Sequence, residues 1–139
     1  MAPHFHSSEG AVMRPSRSIW LPLVAACLAA AAGCARTPEV SFSKDVVPVL
    51  DKHCKSCHVP GQPGYVVSGF ELGSYESLMK GTVYGPVVLP GDPLTSVLVM
   101  LIEGRVDPSL KMPHGNASVP TEAEILTIRR WVEQGAKNN

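Results

Sequence analysis

Aromatic residues are scarce in this sequence, at 6% of its 139 positions. A short chain with so few large side chains has little material for a core of its own, and a bound cofactor is one way to supply the missing apolar bulk. Charge of either sign is not in excess, because 12 basic and 12 acidic residues balance. The composition therefore gives no electrostatic argument for nucleic-acid binding.

The sequence also lacks internal repeats and any convincing alternation of apolar and polar residues, the pattern typical of a half-buried strand. Its 13 prolines and 12 glycines indicate short elements joined by long loops. Helical periodicity predicts an all-α domain of about four short helices, over residues 43–54, 75–80, 92–104 and 121–135. The segments 59–73 and 104–120 are predicted to be loops.

Capping residues mark the predicted helix ends. Ser43 is the expected N-cap of the first helix, and Asp92 followed by Pro93 predicts the start of the third. Thr121 and Glu124 have the spacing of a capping box at the last helix. Apolar residues at helical spacing predict buried faces in the first, third and last helices, and these include Val46, Val47, Leu50, Leu94, Val97, Leu98, Leu101, Ile102, Ile125, Ile128, Trp131 and Val132. Trp131 is expected to pack against the first helix near Phe42.

No apolar run in the sequence reaches the roughly 20 residues that a membrane-spanning helix needs. The longest one, residues 19–32, follows two arginines and suits the core of a signal peptide. It ends in Ala-Ala-Gly-Cys, which resembles the lipobox of bacterial lipoproteins, so we expect cleavage before Cys34 and acylation of its thiol. The alternative is an ordinary secretory signal that leaves Cys34 free. Met13 is an alternative start to Met1.

These features predict a lipoprotein-type signal peptide over residues 1–33, a tether over 34–41 and one domain over 42–137. The expected location is the cell envelope, facing the periplasm and anchored to a bilayer by lipid. Ala35 stands where some bacteria use Asp to retain lipoproteins in the inner membrane, which favours the outer membrane.

Only one cysteine pair remains in the predicted domain, within the stretch HCKSCHVPG. Cys54 and Cys57 form a Cys-x-x-Cys motif, and His58 follows directly. Three chemistries use this pattern: covalent haem attachment, a zinc site and a redox-active dithiol. In haem attachment the two sulfurs form thioethers with the haem vinyl groups, and the histidine ligates the iron.

The two rival chemistries lack their usual surroundings. Zinc typically needs four ligands with paired spacing, whereas the other nitrogen donors of the domain, His53 and His114, are not paired. A thioredoxin-like dithiol lies at a helix N-terminus beside a βαβ pattern, whereas this pair ends a predicted helix. Export favours haem, since haem c is attached outside the cytoplasm in bacteria. We therefore expect one covalent haem c on Cys54 and Cys57, with His58 as the proximal iron ligand.

The second iron ligand is expected in the proline-rich loop 104–120. Met112 is the candidate, because the rival methionines, Met79 and Met100, lie in predicted helices where methionine is more often core filler. His114 is the alternative distal ligand, although a solvated loop histidine also fits its position. His53 is predicted to be a surface residue.

Several stretches resemble the small bacterial c-type cytochrome domains of the planctomycete-type cytochrome c family. They are FSKDVVPVLDKHCKSCH, GPVVLPGDPLTSVL, KMP and EILTIRRWVEQGA, in the family order and spanning residues 42–136. The resemblance implies a class I cytochrome c-like fold, with helices and long loops around the haem. Pro113-His114 departs from the Met-Pro-Pro that relatives often carry.

The leading hypothesis is a monohaem c-type cytochrome, a membrane-tethered electron carrier with His/Met ligation and no enzymatic activity. The expected partners are redox donor and acceptor proteins of the envelope, the c-type cytochrome maturation machinery and the bilayer, with no nucleic acid. Two alternatives stay open. One is a haem-based sensor or gas-binding module with a labile distal ligand, and the other is a zinc or dithiol binding module without haem.

Overall fold

Helices make up the regular structure of the residues that the computed structural model describes, which are 37–115 and 117–139. A π-helical turn (Phe42–Val46) leads into α1 (Val47–His53), and the other helices are α2 (Pro63–Ser68), α3 (Tyr75–Lys80), α4 (Val97–Glu103) and α5 (Glu122–Glu133). Within these residues the only β pairing is an isolated bridge between Thr82 and Gly85. The all-α prediction is confirmed. The predicted signal peptide and the first three residues of the tether, Cys34 included, lie outside the described residues.

None of the helices in the described segments is both long enough and apolar enough to cross a bilayer.

The first helix has the predicted extent but a different cap. Ser41 is the N-cap, and its hydroxyl accepts a hydrogen bond from the Lys44 N–H at 3.3 Å, so the prediction of Ser43 is wrong. The Val46 N–H donates to the Ser41 carbonyl at 3.3 Å, one residue further back than in an α-helix. Pro48 has no N–H and sits in the first turn of α1, where helices tolerate proline.

Helix α2 lies inside the segment that the sequence predicts to be a loop. It begins at Pro63, which has no N–H to leave unpaired at a first helical position, and its C-cap Gly69 is left-handed with φ of 68°. Proline at the start and glycine after the end are the usual markers of a helix. The segment is predicted to be a loop because glycine and proline are frequent throughout it. By contrast, α3 has the predicted bounds and the expected cap, Ser74.

Helix α4 starts later than predicted. The Asp92 carboxylate accepts hydrogen bonds from the N–H groups of Leu94 and Thr95 at 3.0 and 3.1 Å, so it closes a turn before the helix. The helical N-cap is Ser96. The expectation that Leu94 lies on the buried face is wrong, because Leu94 precedes the helix and is 61% exposed. Val97 is also largely exposed, and the buried face consists of Leu98, Val99 and Ile102.

The core joins the two ends of the domain through aromatic side chains. Phe42 stacks on Trp131 with ring centroids 5.3 Å apart, and the edge of Tyr75 meets Phe42 at 5.2 Å. Trp131 is 1% exposed, and its indole N–H donates to the Lys137 carbonyl at 2.9 Å. The predicted packing of Trp131 near Phe42 is therefore confirmed. The π-helical turn contacts α5 through Phe42, and the end of α1 contacts the start of α5 through Lys52 and His53.

The predicted capping box of α5 is present. The Thr121 hydroxyl accepts from the Glu124 N–H, and the Glu124 carboxylate accepts from the Thr121 N–H at 2.7 Å. The same carboxylate pairs with Lys52 at 3.0 Å and lies 3.2 Å from the His53 ring. The backbone N–H of Thr121 is the largest of several hydrogen bonds that lower the pKa of Glu124 to about 2, and Lys52, the Thr121 hydroxyl and His53 supply the others.

The lowered pKa of Glu124 predicts that the fold loses stability in acid. The ionised Glu124 stabilises the fold, and the contribution is complete above its ordinary pKa of 4.5 and is lost as the pH falls toward 2. The melting temperature should therefore drop between these pH values, and Glu124→Gln should flatten that part of the profile. Glu122→Gln, on the same helical turn, is the matched control and should retain the wild-type slope. Equal slopes for wild type and Glu124→Gln would contradict the prediction.

Candidate functional site

The two cysteines and His58 lie in one tight turn after α1. The helix closes with the Cys54 N–H donating to the Leu50 carbonyl at 2.9 Å. The N–H groups of Cys57 and His58 then both donate to the Cys54 carbonyl, at 3.1 and 3.2 Å. Cys54 is partly buried and Cys57 is exposed. The helix thus delivers the motif at its C-terminal end, as the sequence predicts.

Two cavities, of about 150 and 120 Å³, meet at this turn. Four residues line both of them: Cys54, His58, Ile102 and Met112. The larger cavity is also lined by Cys57, Pro63, Pro113, His114, Ala117 and Pro120 among others, and the smaller one by Phe70, Val87, Val97, Leu98 and Leu101 among others. The walls are mostly apolar, so a group bound there would be shielded from water.

Met112 lines more of the site than His114 does. Met112 lines both cavities and its N–H donates to the Leu101 carbonyl of α4 at 3.2 Å. His114 lines the larger cavity alone and is an exposed residue. Met112 is therefore the candidate whose side chain shares the whole space with His58.

His58 sits in an apolar environment that disfavours the charged form of its ring. Burial lowers the pKa of His58 below its ordinary value, and the backbone of Phe70 partly opposes that shift. Its Nδ1 atom is buried without a hydrogen-bond partner among the described residues, and the Phe70 ring meets the imidazole edge-on at 5.1 Å. A neutral imidazole keeps a nitrogen lone pair free for a metal. Burial therefore favours the neutral form of the ring, which is the form that ligates a metal.

Gly64 leaves room for the His58 ring because it has no side chain. A Cβ atom at this position would lie 2.8 Å from the Cys57 carbonyl oxygen, 2.8 Å from His58 Cε1 and 3.0 Å from His58 Nδ1. The start of α2 therefore packs directly against the imidazole. Two hydrogen bonds hold the surrounding backbone, from the Tyr65 N–H to the Cys57 carbonyl at 3.0 Å and from the Leu72 N–H to the His58 carbonyl at 2.8 Å.

The surroundings of Cys54 do not favour dithiol redox chemistry. Burial, and to a lesser extent the neighbouring Cys57, raises the pKa of Cys54 to about 11. Thiol exchange uses the thiolate, which this environment disfavours at Cys54. Moreover, no group of three or more His, Cys, Asp or Glu side chains in the described segments could hold a metal ion. Both alternatives to haem lose support.

Some apolar residues of the domain line these cavities and others belong to the core or the surface. Leu98 and Phe70 do line the smaller cavity. Leu94 does not, since it lies on the surface, and Val88 is a core residue while its neighbour Val87 reaches the cavity. Tyr65 does not line either cavity.

His53 lies next to the site, and the prediction that it is a surface residue is wrong. It is 3% exposed, not a surface residue, and it lines the larger cavity. Its ring nitrogens contact the Ser118 carbonyl and the Glu124 carboxylate. The spacing of Val46, Leu50 and His53 follows a single helix face, and this periodicity was the available indication of its burial.

A family model described as Planctomycete cytochrome C matches residues 54–115, just under half of the chain. No curated protein and no solved structure matches the chain. The matched segment runs from Cys54 past Met112 and His114, so it contains every residue that the sequence predicted at the iron and the thioethers. The match confirms the predicted resemblance to the planctomycete-type cytochrome c family over these residues, and it spans less of the chain than the predicted 42–136.

The described residues fit the haem c that this family implies. Cys54 and Cys57 have the Cys-x-x-Cys spacing for two thioethers. The two cavities have mostly apolar walls, and the buried Nδ1 atom of His58 has no hydrogen-bond partner among the described residues. Gly64 adds no side-chain atom to the crowded side of the ring.

The close approach of Gly64 predicts a specific sensitivity. Gly64→Ala should force the His58 ring or the α2 backbone to shift, at a cost of about 1–3 kcal/mol of unfolding free energy, as for other overpacked sites. Gly73→Ala is the matched control. Its Cβ would also lie 2.8 Å from another atom, but that atom is Oε1 of Glu71, at the flexible end of a side chain that can move away. Urea unfolding of both variants measures the difference, and equal losses of stability would contradict the steric explanation.

Proposed function

We propose that this protein is a monohaem c-type cytochrome that carries electrons, with haem joined to Cys54 and Cys57 and iron ligated by His58 and Met112. The observation that carries the proposal is that His58 and Met112 line the same two apolar cavities, together with Cys54. One ligand comes from the turn after α1 and the other from the loop after α4, so the two approach the site from separate parts of the chain.

When bound, haem supplies a single iron that cycles between the ferrous and ferric states. The side chains of this chain hold the cofactor, exclude water and set the electronic properties of the iron through its axial ligands. Methionine at the distal position raises the reduction potential. Two protein ligands leave no open iron position for a substrate, which supports a carrier function and argues against an enzyme.

We further propose that the domain is tethered to a membrane of the cell envelope through lipid on Cys34, facing the periplasm. The basis is the sequence of the N-terminal segment and its lipobox-like Ala-Ala-Gly-Cys. The partners would be redox proteins of the envelope and the machinery that attaches haem. Two lysines near the motif are paired with acidic residues, Lys52 with Glu124 at 3.0 Å and Lys55 with Asp51 at 2.9 Å. Steering by these two charges is therefore weak.

Covalent haem is tested on protein purified from cells that have c-type maturation. A pyridine haemochrome spectrum should show one thioether-linked haem per chain, and acid-acetone should leave the colour with the protein. Replacing both cysteines, Cys54→Ala with Cys57→Ala, should abolish attachment. Extractable haem, or protein without haem, would refute the proposal and return the zinc and dithiol alternatives.

The distal ligand is tested by a pair of variants. Met112→Ala should abolish the sulfur-to-iron charge-transfer band of the ferric protein and lower the reduction potential, because the thioether ligand is lost. His114→Ala is the matched control two residues away and should retain the band. The opposite pattern would transfer the ligand role to His114. Strong CO binding by the reduced wild type would instead favour a sensor with a labile distal ligand.

The tether is tested independently of the haem. Cys34→Ala should release the haem-containing domain from the membrane fraction into the soluble periplasm, because the acyl chains can no longer be attached. Cys27→Ala, within the predicted signal peptide, is the control and should leave the mature protein on the membrane. Membrane association of Cys34→Ala would contradict lipidation.

A further inference from the structure

His53 is a buried side chain with a contact at each end of its ring. Its Nδ1 atom lies 2.7 Å from the Ser118 carbonyl oxygen, and its Nε2 atom lies 3.2 Å from Glu124 Oε2. A carbonyl can only accept, so Nδ1 donates the hydrogen bond to Ser118, while Nε2 faces the Glu124 carboxylate.

Ser118 belongs to the loop between α4 and α5 that carries Met112. Its neighbours Ala117 and Pro120 line the larger cavity together with Met112, Pro113 and His114. A hydrogen bond that fixes the Ser118 carbonyl therefore fixes the wall of the cavity on the Met112 side. Because His53 is the last residue of α1, the bond ties that wall to the helix whose next residue is Cys54.

The loop has few other anchors. Over the described residues 106–115 and 117–119, two hydrogen bonds reach other parts of the domain. One runs from the Met112 N–H to the Leu101 carbonyl at 3.2 Å, and the other is the bond from His53 to Ser118. The remaining hydrogen bonds of these residues stay within the loop, such as the bond from the Leu110 N–H to the Asp107 carbonyl. A long loop with two anchors depends strongly on each.

We propose that His53 is a positioning residue for the Met112 loop. It connects the end of α1, the start of α5 at Glu124 and the loop at Ser118, so that Met112 is presented toward the cavities that it shares with His58. The consequence for iron ligation rests on the proposed function, in which Met112 is the distal ligand. The attachment of the loop itself does not depend on which residue ligates the iron.

Hydrogen exchange in the haem-loaded protein tests the attachment. The glutamine of His53→Gln has no ring and cannot reach Ser118 and Glu124 from two opposite nitrogens. Amides in peptides covering 106–120 should therefore exchange roughly tenfold faster, the effect of losing about one hydrogen bond. Lys52→Met is the matched control, since it removes a side-chain contact of Glu124 that comes from the residue next to His53. Exchange in the loop should stay at the wild-type rate in this control.

The spectrum of the same variant tests the consequence for the iron. On heating, His53→Gln should lose the sulfur-to-iron band at a lower temperature than wild type, and the band should disappear before α5 unfolds. If the wild type itself lacks the band, the proposed Met112 ligation fails, and the exchange experiment still decides whether His53 holds the loop.

The outcomes separate positioning from general stability. Unchanged loop exchange in His53→Gln would overturn the inference, as would an equal increase in the loop and in α3, which would indicate global destabilisation. If His53→Gln does not accumulate as folded protein, Glu124→Gln replaces it. This variant keeps an oxygen for the Thr121 cap while removing the charge that faces Nε2, and it should accelerate loop exchange by a smaller factor. Wild-type exchange in Glu124→Gln would then overturn the inference.

Discussion

The stacking of Phe42 on Trp131 is the contact on which the rest of the domain depends. It joins the helical segment that begins at Phe42 to α5, with ring centroids 5.3 Å apart and both residues buried. Because α1 continues directly from that segment, the stack determines where α1 ends and therefore where Cys54, Cys57 and His58 are placed. The same stack positions the start of α5, which brings Glu124 beside His53. Aromatic pairs of this kind contribute about 0.5–1.5 kcal/mol beyond the area they bury. In a chain with so few aromatic residues, one such pair organises both ends of the domain.

The scarcity of aromatics has a counterpart in the two cavities. Phe70 packs edge-on against His58 and lines the smaller cavity, so one of the few large side chains serves the site as well as the core. Much of the remaining wall consists of branched aliphatic residues and proline, around cavities of about 150 and 120 Å³. A covalently bound apolar group would gain dispersion contacts with these walls. The composition and the motif therefore support the same interpretation for separate physical reasons.

Much of this arrangement could be predicted from the sequence, and the errors have identifiable causes. The capping box of Thr121 and Glu124, the bounds of α3 and the packing of Trp131 follow from local patterns, because each depends on residues a few positions apart or on one large side chain. Helix α2 was missed because glycine and proline mark both loops and helix ends, and only spatial context distinguishes the two. The start of α4 was placed too early because an aspartate that closes a turn has the same sequence pattern as an N-cap. His53 was assigned to the surface because its partners, Ser118 and Glu124, are 65 and 71 positions away in the sequence.

The two sides of the site differ in how they are held, and this difference explains why residues outside the motif matter. The proximal side is built locally: the turn from Cys54 to His58 is closed by its own backbone hydrogen bonds and backed by Gly64. The distal side is carried by a long loop, and ordering each residue of such a loop costs about 1–2 kcal/mol of backbone entropy. Short-range contacts within the loop cannot orient it relative to α1, so its position must be set by bonds to other elements. The bonds available for this purpose in the described residues run to Leu101 on one side and to His53 on the other. His53 therefore links the locally determined half of the site to the half that requires tertiary structure.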